Sequence, residues 1–104
     1  ALPERPTAII ASTDVLAIGA LHAASHMGLR IPGEISIVGF DDLPMAEYMT
    51  PALTTVCMPI AEMAAAGVKA AIDEGQDREA TTLQILKPTV VIRESSGRAP
   101  DRDR

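Results

Sequence analysis

Two short apolar runs, each ending in a polar cluster and separated by a segment of helical length, most constrain what this chain can fold into. The first run is Thr7-Ala8-Ile9-Ile10-Ala11, followed by Ser12-Thr13-Asp14. The second is Ile35-Ser36-Ile37-Val38-Gly39-Phe40, followed by Asp41-Asp42. Runs this short and this apolar read as strands buried on both faces. Ser, Thr and Asp are the residue types that cap helix N-termini, and Val15 to Met27 between the runs is rich in helix formers. Gly28 supplies the stop, and Pro32-Gly33 marks a turn before the second run. Strand, helix and strand joined by short connections form a βαβ unit. Such units build a parallel sheet with a right-handed crossover. The fold class expected is therefore α/β, with a parallel, doubly wound sheet.

Beyond Asp41-Asp42-Leu43-Pro44, Met45 to Met49 fits one short helical turn, and Leu53 to Cys57 is a third strand candidate. Pro59 suits the first turn of a helix. Ile60, Met63, Ala64, Gly67, Val68, Ala71 and Ile72 recur at i, i+3, i+4, i+7, i+8, i+11 and i+12, one apolar stripe of an α-helix that Gly75 ends. Its alanines and glycine allow close approach to a sheet. Gln76 to Thr81 reads as a polar loop. Leu83 to Leu86 and Thr89 to Glu94 are strand-like pieces broken by Lys87-Pro88, and a proline confines such a region to a sheet edge or a passage between layers.

Composition narrows the function classes. The 104 residues are 47% hydrophobic but only 2% aromatic, so Ile, Val, Leu, Met and Ala must fill the core. A net charge of -5 argues against this chain gripping nucleic acid itself, because phosphate binding needs clustered Lys and Arg. It is not a membrane-surface pattern either, and Val15 to Met27 is too short and too interrupted to span a bilayer. The single cysteine, Cys57, allows no internal disulfide and reads as a small packed side chain. The head of the chain, Ala1 to Pro6, lacks Met and reads as a loop, the expectation for a fragment whose N-terminal part is missing. Gly97 to Arg104 alternates charge with Gly and Pro and is expected to be a disordered tail.

Candidate chemistry follows from topology. In open parallel sheets, ligands bind outside the carboxyl ends of the strands. If the two strands are neighbours, Ser12-Thr13-Asp14 and Asp41-Asp42 share one rim. A carboxylate accepts from adjacent hydroxyls and a Thr hydroxyl donates or accepts, a combination suited to a polyhydroxylated ligand such as a sugar. The plainer reading stays open: Ser12 to Asp14 as a helix cap only, and Asp41-Asp42 as a turn only. His22 and His26 share a helix face at i, i+4, but Ala23 stands where a zinc protease carries Glu, so no metal is expected. Glu62 in a first helical turn complements the dipole. The chain has no P-loop, no glycine-rich dinucleotide fingerprint and no Gly-x-Ser-x-Gly elbow. A receiver domain would need a strand ending in Asp between Asp42 and Lys87, and there is none. A hydrolase using Asp14 and Asp41 would need an activating partner for either carboxylate, and none is apparent. No cofactor and no catalytic residue are therefore assigned.

Pro6 to Asp14, Ala17-Ile18-Gly19-Ala20, Gly28 to Pro32, Ile35 to Asp42, Pro51 to Val56 with Pro59 and Glu62-Met63, and Val91 to Ser96 together, in this order and spacing, resemble the C-terminal subdomain of LacI/GalR transcriptional regulators. The likeness runs from Pro6 to Ser96. It implies part of a type I periplasmic-binding-protein-like fold, with residues 1–96 the C-terminal part of an effector-binding domain. Residues 7–51 would belong to the C-terminal subdomain, 53–75 would form a crossover strand and a helix of the N-terminal subdomain, and 83–96 would be closing strands, before the tail at 97–104. The family's sugar-contacting Asp falls on Asp41, and a second contact, often Asn, falls on Thr13. Asp14 matches the acidic residue beside it, and Met58 stands where the family often has Gln. The dimer face would involve Ile18 and Met49. Partners implied are a small-molecule effector such as a sugar, a second copy, and operator DNA held through a headpiece outside this chain, all in the cytoplasm. A periplasmic sugar-binding protein of a transport system shares the fold and is the alternative.

Overall fold

The computed structural model describes residues 4–76 and 84–101, which divide into two compact units. Residues Ala1–Cys57 with Val90–Arg104 form the first and Met58–Thr89 the second.

The first unit carries the expected βαβ element. Strand β1 (Ala8–Ile10) pairs in parallel with β2 (Ser36–Val38) in the register Ala8↔Ser36, Ile9↔Ile37, Ile10↔Val38. Between them runs helix α1 (Asp14–His26). Thr13 caps it, its hydroxyl oxygen accepting from the Leu16 N–H at 3.2 Å. At the other end Gly28, at φ +76°, lets the chain leave. The Gly28 and Leu29 N–H groups then return to the Ser25 and Ala24 carbonyls, which satisfies carbonyls that the helix would otherwise orphan.

Ala17, Leu21 and Ala24 recur on one face of α1 and are buried with Ile35, Ile37, Ala46 and Leu53. Each Leu or Ile buried here contributes about 1.5–3 kcal/mol, and two alanines on the stripe let helix and sheet approach closely. The third strand lies on the other side of β2 from β1. Thr54 bridges Val38 in parallel, and the Gly39 and Asp41 N–H groups donate to the Thr54 and Val56 carbonyls, both at 2.9 Å. The regular part is β3 (Thr55–Cys57), whose ladder partner is β4 (Thr89–Val91). A 3-10 turn (Pro44–Tyr48) follows Asp42 and buries Ala46.

The unit is closed by its last segment. The Ile37 N–H donates to the Ser95 carbonyl at 2.8 Å, and the buried Ser95 hydroxyl bonds both the Thr54 N–H at 2.8 Å and the Ile37 carbonyl at 2.5 Å. Gly97 exchanges bonds with the Ser36 hydroxyl. The tail expected from Gly97 onward thus begins with an anchored residue, and residues 98–101 follow without regular structure.

In the second unit, α2 (Ile60–Gln76) runs past Gly75, where a stop was expected, because one glycine costs a helix only about 1 kcal/mol. Its stripe is not buried: Ile60, Met63, Val68 and Ile72 are exposed. The same holds for β1, expected to be covered on both faces, where Ile10 is 81% exposed. Among the described residues only β2 lies beside that strand. Residues 84–86 form no strand, and the expected polar loop beyond Gln76 lies outside the described residues.

One residue fixes how close the layers come. A Cβ on Gly39 would collide with an Asp14 carboxylate oxygen and stand 3.1 Å from a Leu53 methyl and 3.2 Å from the Ala17 methyl. Gly39→Ala is therefore expected to lower unfolding free energy by about 1–3 kcal/mol, as overpacking does. Urea titration checks this, and an unchanged midpoint would contradict it.

Candidate functional site

The rim foreseen at the strand ends exists. The Asp14 N–H, at the start of α1, donates to the Phe40 carbonyl, at the end of β2, at 2.9 Å. Thr13 and Asp41 flank the two residues joined by this bond, so both polar clusters lie at one edge of the first unit. Thr13 and Asp41 are themselves half-buried.

Asp14 sits differently from the expectation. Its exposure is 0%, and its oxygens are already engaged: Oδ1 accepts from the Thr55 hydroxyl at 2.6 Å and Oδ2 from the Leu43 N–H at 2.7 Å. A side chain with no exposed surface has none to offer a ligand in this conformation. Its work is internal, tying α1 to the loop after β2 and to β3. Buried carboxylates persist where such charge-assisted bonds replace water.

The loop itself is held by every backbone donor from Asp41 to Leu43. Asp41 donates to the Val56 carbonyl, Asp42 to the Thr55 hydroxyl oxygen at 3.2 Å, and Leu43 to Asp14. Asp42 adds an ion pair with Arg93, Oδ1 to Nη2 at 2.8 Å. The backbone between these anchors is unusual, with φ of +128° at Asp41 and +55° at Asp42. Aspartate tolerates the left-handed region, but a φ near +128° is ordinarily glycine territory and costs about 1–3 kcal/mol. The Asp41 carboxylate, by contrast, makes no hydrogen bond or ion pair with another described residue. The loop thus commits its backbone donors to β3 and Asp14, while the Asp41 carboxylate accepts from none of the described residues.

Met58 belongs to the second unit. It is half-buried and lines a cavity of about 720 Å³ with Met63, Ala66, Lys69, Ile85 and Leu86. Ile18 and Met49, expected at a dimer face, are half-buried against the core of the first unit, while Val15 and Leu16 on α1 are exposed. His22 and His26 stack with ring centroids 5.0 Å apart on the exposed side of α1. No group of three or more metal-ligating side chains occurs among the described residues. Cys57 is half-buried and not in a disulfide. None of the described helices is long and apolar enough to cross a membrane.

Sequence reading passed over Thr55, Arg93 and Ser95. Thr55 reads only as a β-branched strand residue, and Arg93 and Ser95 lie some 40 residues from their partners (|i−j| of 40 for Arg93–Leu53 and 41 for Ser95–Thr54), so spacing carries no signal.

A family model described as a periplasmic binding protein-like domain matches residues 1–96. The ribose operon repressor of Haemophilus influenzae is 40% identical over 93 residues, which cover 88% of this chain and 28% of that protein. A LacI family transcriptional regulator from Enterococcus faecium with bound ribose superposes with a TM-score of 0.78 at 32% identity, covering 96% of this chain and 37% of that one. The lac repressor dimer bound to operator and an anti-inducer superposes with a TM-score of 0.82 at 30% identity, covering 88% and 32%. The chain thus spans between 28% and 37% of the length of these relatives.

Replacing Asp14 with Ala would leave the Leu43 N–H and the Thr55 hydroxyl without their acceptor. Bonds to charged groups of this kind are worth about 1.5–3 kcal/mol each, so Asp14→Ala is expected to destabilise by roughly 3 kcal/mol or more. Equilibrium unfolding measures it. A loss below about 1 kcal/mol would mean that the bracket carries little.

Proposed function

The chain belongs to the periplasmic binding protein-like domain family, and from that premise we propose that it is the effector-sensing region of a LacI-type transcriptional repressor. Its effector is a sugar or a related small polyhydroxylated molecule. Thr13, Asp41 and Met58 are the contacts, and Asp14 serves the site from beneath by holding the loop that carries Asp41. The observation that carries the reading is the Asp41 carboxylate, presented without a partner among the described residues by a loop whose own backbone donors are all used. A carboxylate so placed accepts from the adjacent hydroxyls of a sugar without first breaking a bond of its own.

In this reading the regulator is a cytoplasmic homodimer with a separate DNA-binding headpiece outside this chain. Ile18 and Met49 belong to its dimer face through the part of each that the core leaves open, and Val15 and Leu16 on α1 are exposed apolar residues of the same unit. The net charge of -5 suits a region that senses rather than grips DNA. The effector works through a difference in its affinity for two arrangements of the dimer, which alters the fit of the headpieces to the operator. The region binds and releases its ligand unchanged; it is not an enzyme. A transport receptor would share the family, but the relatives that share up to 40% of the residues are repressors.

Asp41→Gly separates site from scaffold. Glycine removes the carboxylate and accepts φ +128° without strain, so the intact regulator is expected to gain about 1 kcal/mol in stability. At the same time it is expected to lose binding of D-ribose, the first sugar to test given the ribose operon repressor and the ribose-bound neighbour. Thermal unfolding and calorimetric titration read the two effects. Undiminished affinity in the variant would remove Asp41 from the site.

A further inference from the structure

Arg93 reaches the Asp41–Leu43 loop from the segment that closes the first unit, 51 residues along the chain from Asp42. Its guanidinium makes two bonds at once. Nη1 donates to the Leu53 carbonyl at 2.9 Å, and Nη2 donates to Asp42 Oδ1 at 2.8 Å. Its backbone N–H donates to the Thr54 hydroxyl oxygen at 2.9 Å. Both side chains of the ion pair are largely shielded, with 17% and 23% of their surface exposed.

The position of this contact gives it a task. Without it, the loop is held only by its backbone. The two residues with positive φ, Asp41 and Asp42, have ordinary alternatives at negative φ, and a peptide rotation there would swing the Asp41 carboxylate off the rim. A guanidinium fixed to the Leu53 carbonyl on one side and to Asp42 on the other opposes that rotation, because its planar fork cannot follow the loop without breaking a bond. Asp14 anchors the far end of the loop at Leu43, so the two contacts bracket it.

We propose that Arg93 is a positioning residue of the effector site: by pinning Asp42 it holds the Asp41 carboxylate in the direction from which it receives a sugar hydroxyl. The inference rests on the effector-site reading above.

The test uses the intact regulator with Arg93→Met, Arg93→Lys, Asp42→Asn and the double variant Arg93→Met with Asp42→Asn. Amide hydrogen exchange of Asp41, Asp42 and Leu43 needs no ligand. It is expected to accelerate about tenfold in Arg93→Met, while amides of α1 and β2 keep their protection. Binding of D-ribose is expected to weaken about tenfold, the scale of one charge-assisted bond, with operator affinity in the absence of sugar unchanged. Arg93→Lys, which reaches only one of the two acceptors, falls between. The double variant is expected to be no weaker than Arg93→Met, since both changes break one contact. Additive losses, unchanged exchange at 41–43, or unchanged ribose affinity with a loosened loop would each overturn the proposal. So would loss of protection throughout the unit in Arg93→Met together with wild-type exchange and affinity in Asp42→Asn, which marks a purely structural arginine. If the wild-type regulator binds neither ribose nor any other monosaccharide, the effector reading fails and this inference falls with it. The exchange data then still report whether the loop is braced, so the two failures are distinguishable.

Discussion

A single buried carboxylate organises the first unit. Asp14 begins α1, follows the residue that caps it, and accepts from the hydroxyl of Thr55 in β3 and from the N–H of Leu43 after β2. Three elements far apart in sequence meet on its two oxygens. The arrangement works only because Gly39 has no side chain, which lets the backbone of the second run pass directly over the carboxylate. An ion with no exposed surface is costly unless its lone pairs are filled, and the hydroxyl and the amide fill them. Once Asp14 is satisfied, the Leu43 end of the loop after β2 is fixed.

The elements up to residue 60 were legible because local signals agreed. Apolar runs, a capping triplet and a glycine stop all pointed to strand, helix and strand, and the parallel pairing of β1 with β2 followed. The candidate rim was legible for the same reason, since both polar clusters lie at strand ends. The internal role of Asp14 was not. A Ser-Thr-Asp triplet looks the same whether its carboxylate faces a ligand or a neighbouring threonine, and the decisive partner, Thr55, lies 41 residues away. Thr13 does cap its helix, as the plainer reading held, and it also stands at the rim; the two roles do not compete.

Burial was the least legible property. The stripe on α2 and the runs in β1 have the composition of covered surfaces, yet Ile10, Val68 and Ile72 are exposed. Periodicity records which face seeks a partner, not where in the sequence the partner is encoded. Among the described residues only β2 lies beside β1, and the α2 stripe stays exposed. The bonds that hold the Asp41–Leu43 loop, in contrast, all come from Asp14, Thr55, Val56 and Arg93, within the first unit.

The closing segment carries a consequence for synthesis. Ser95 supplies the acceptor for the Ile37 N–H and both bonds of a buried hydroxyl, and Arg93 and Gly97 add contacts to Leu53 and Ser36. On a ribosome, residues 1–57 emerge long before these partners exist. The nascent sheet must therefore wait, with the amides of Ile37 and Thr54 still hydrated, until Ser95 and Gly97 clear the exit tunnel. Loop closure over such distances is slow compared with local helix formation. The central strand acquires its full set of bonds only once that segment has emerged, and during the interval its open edge is free to pair elsewhere.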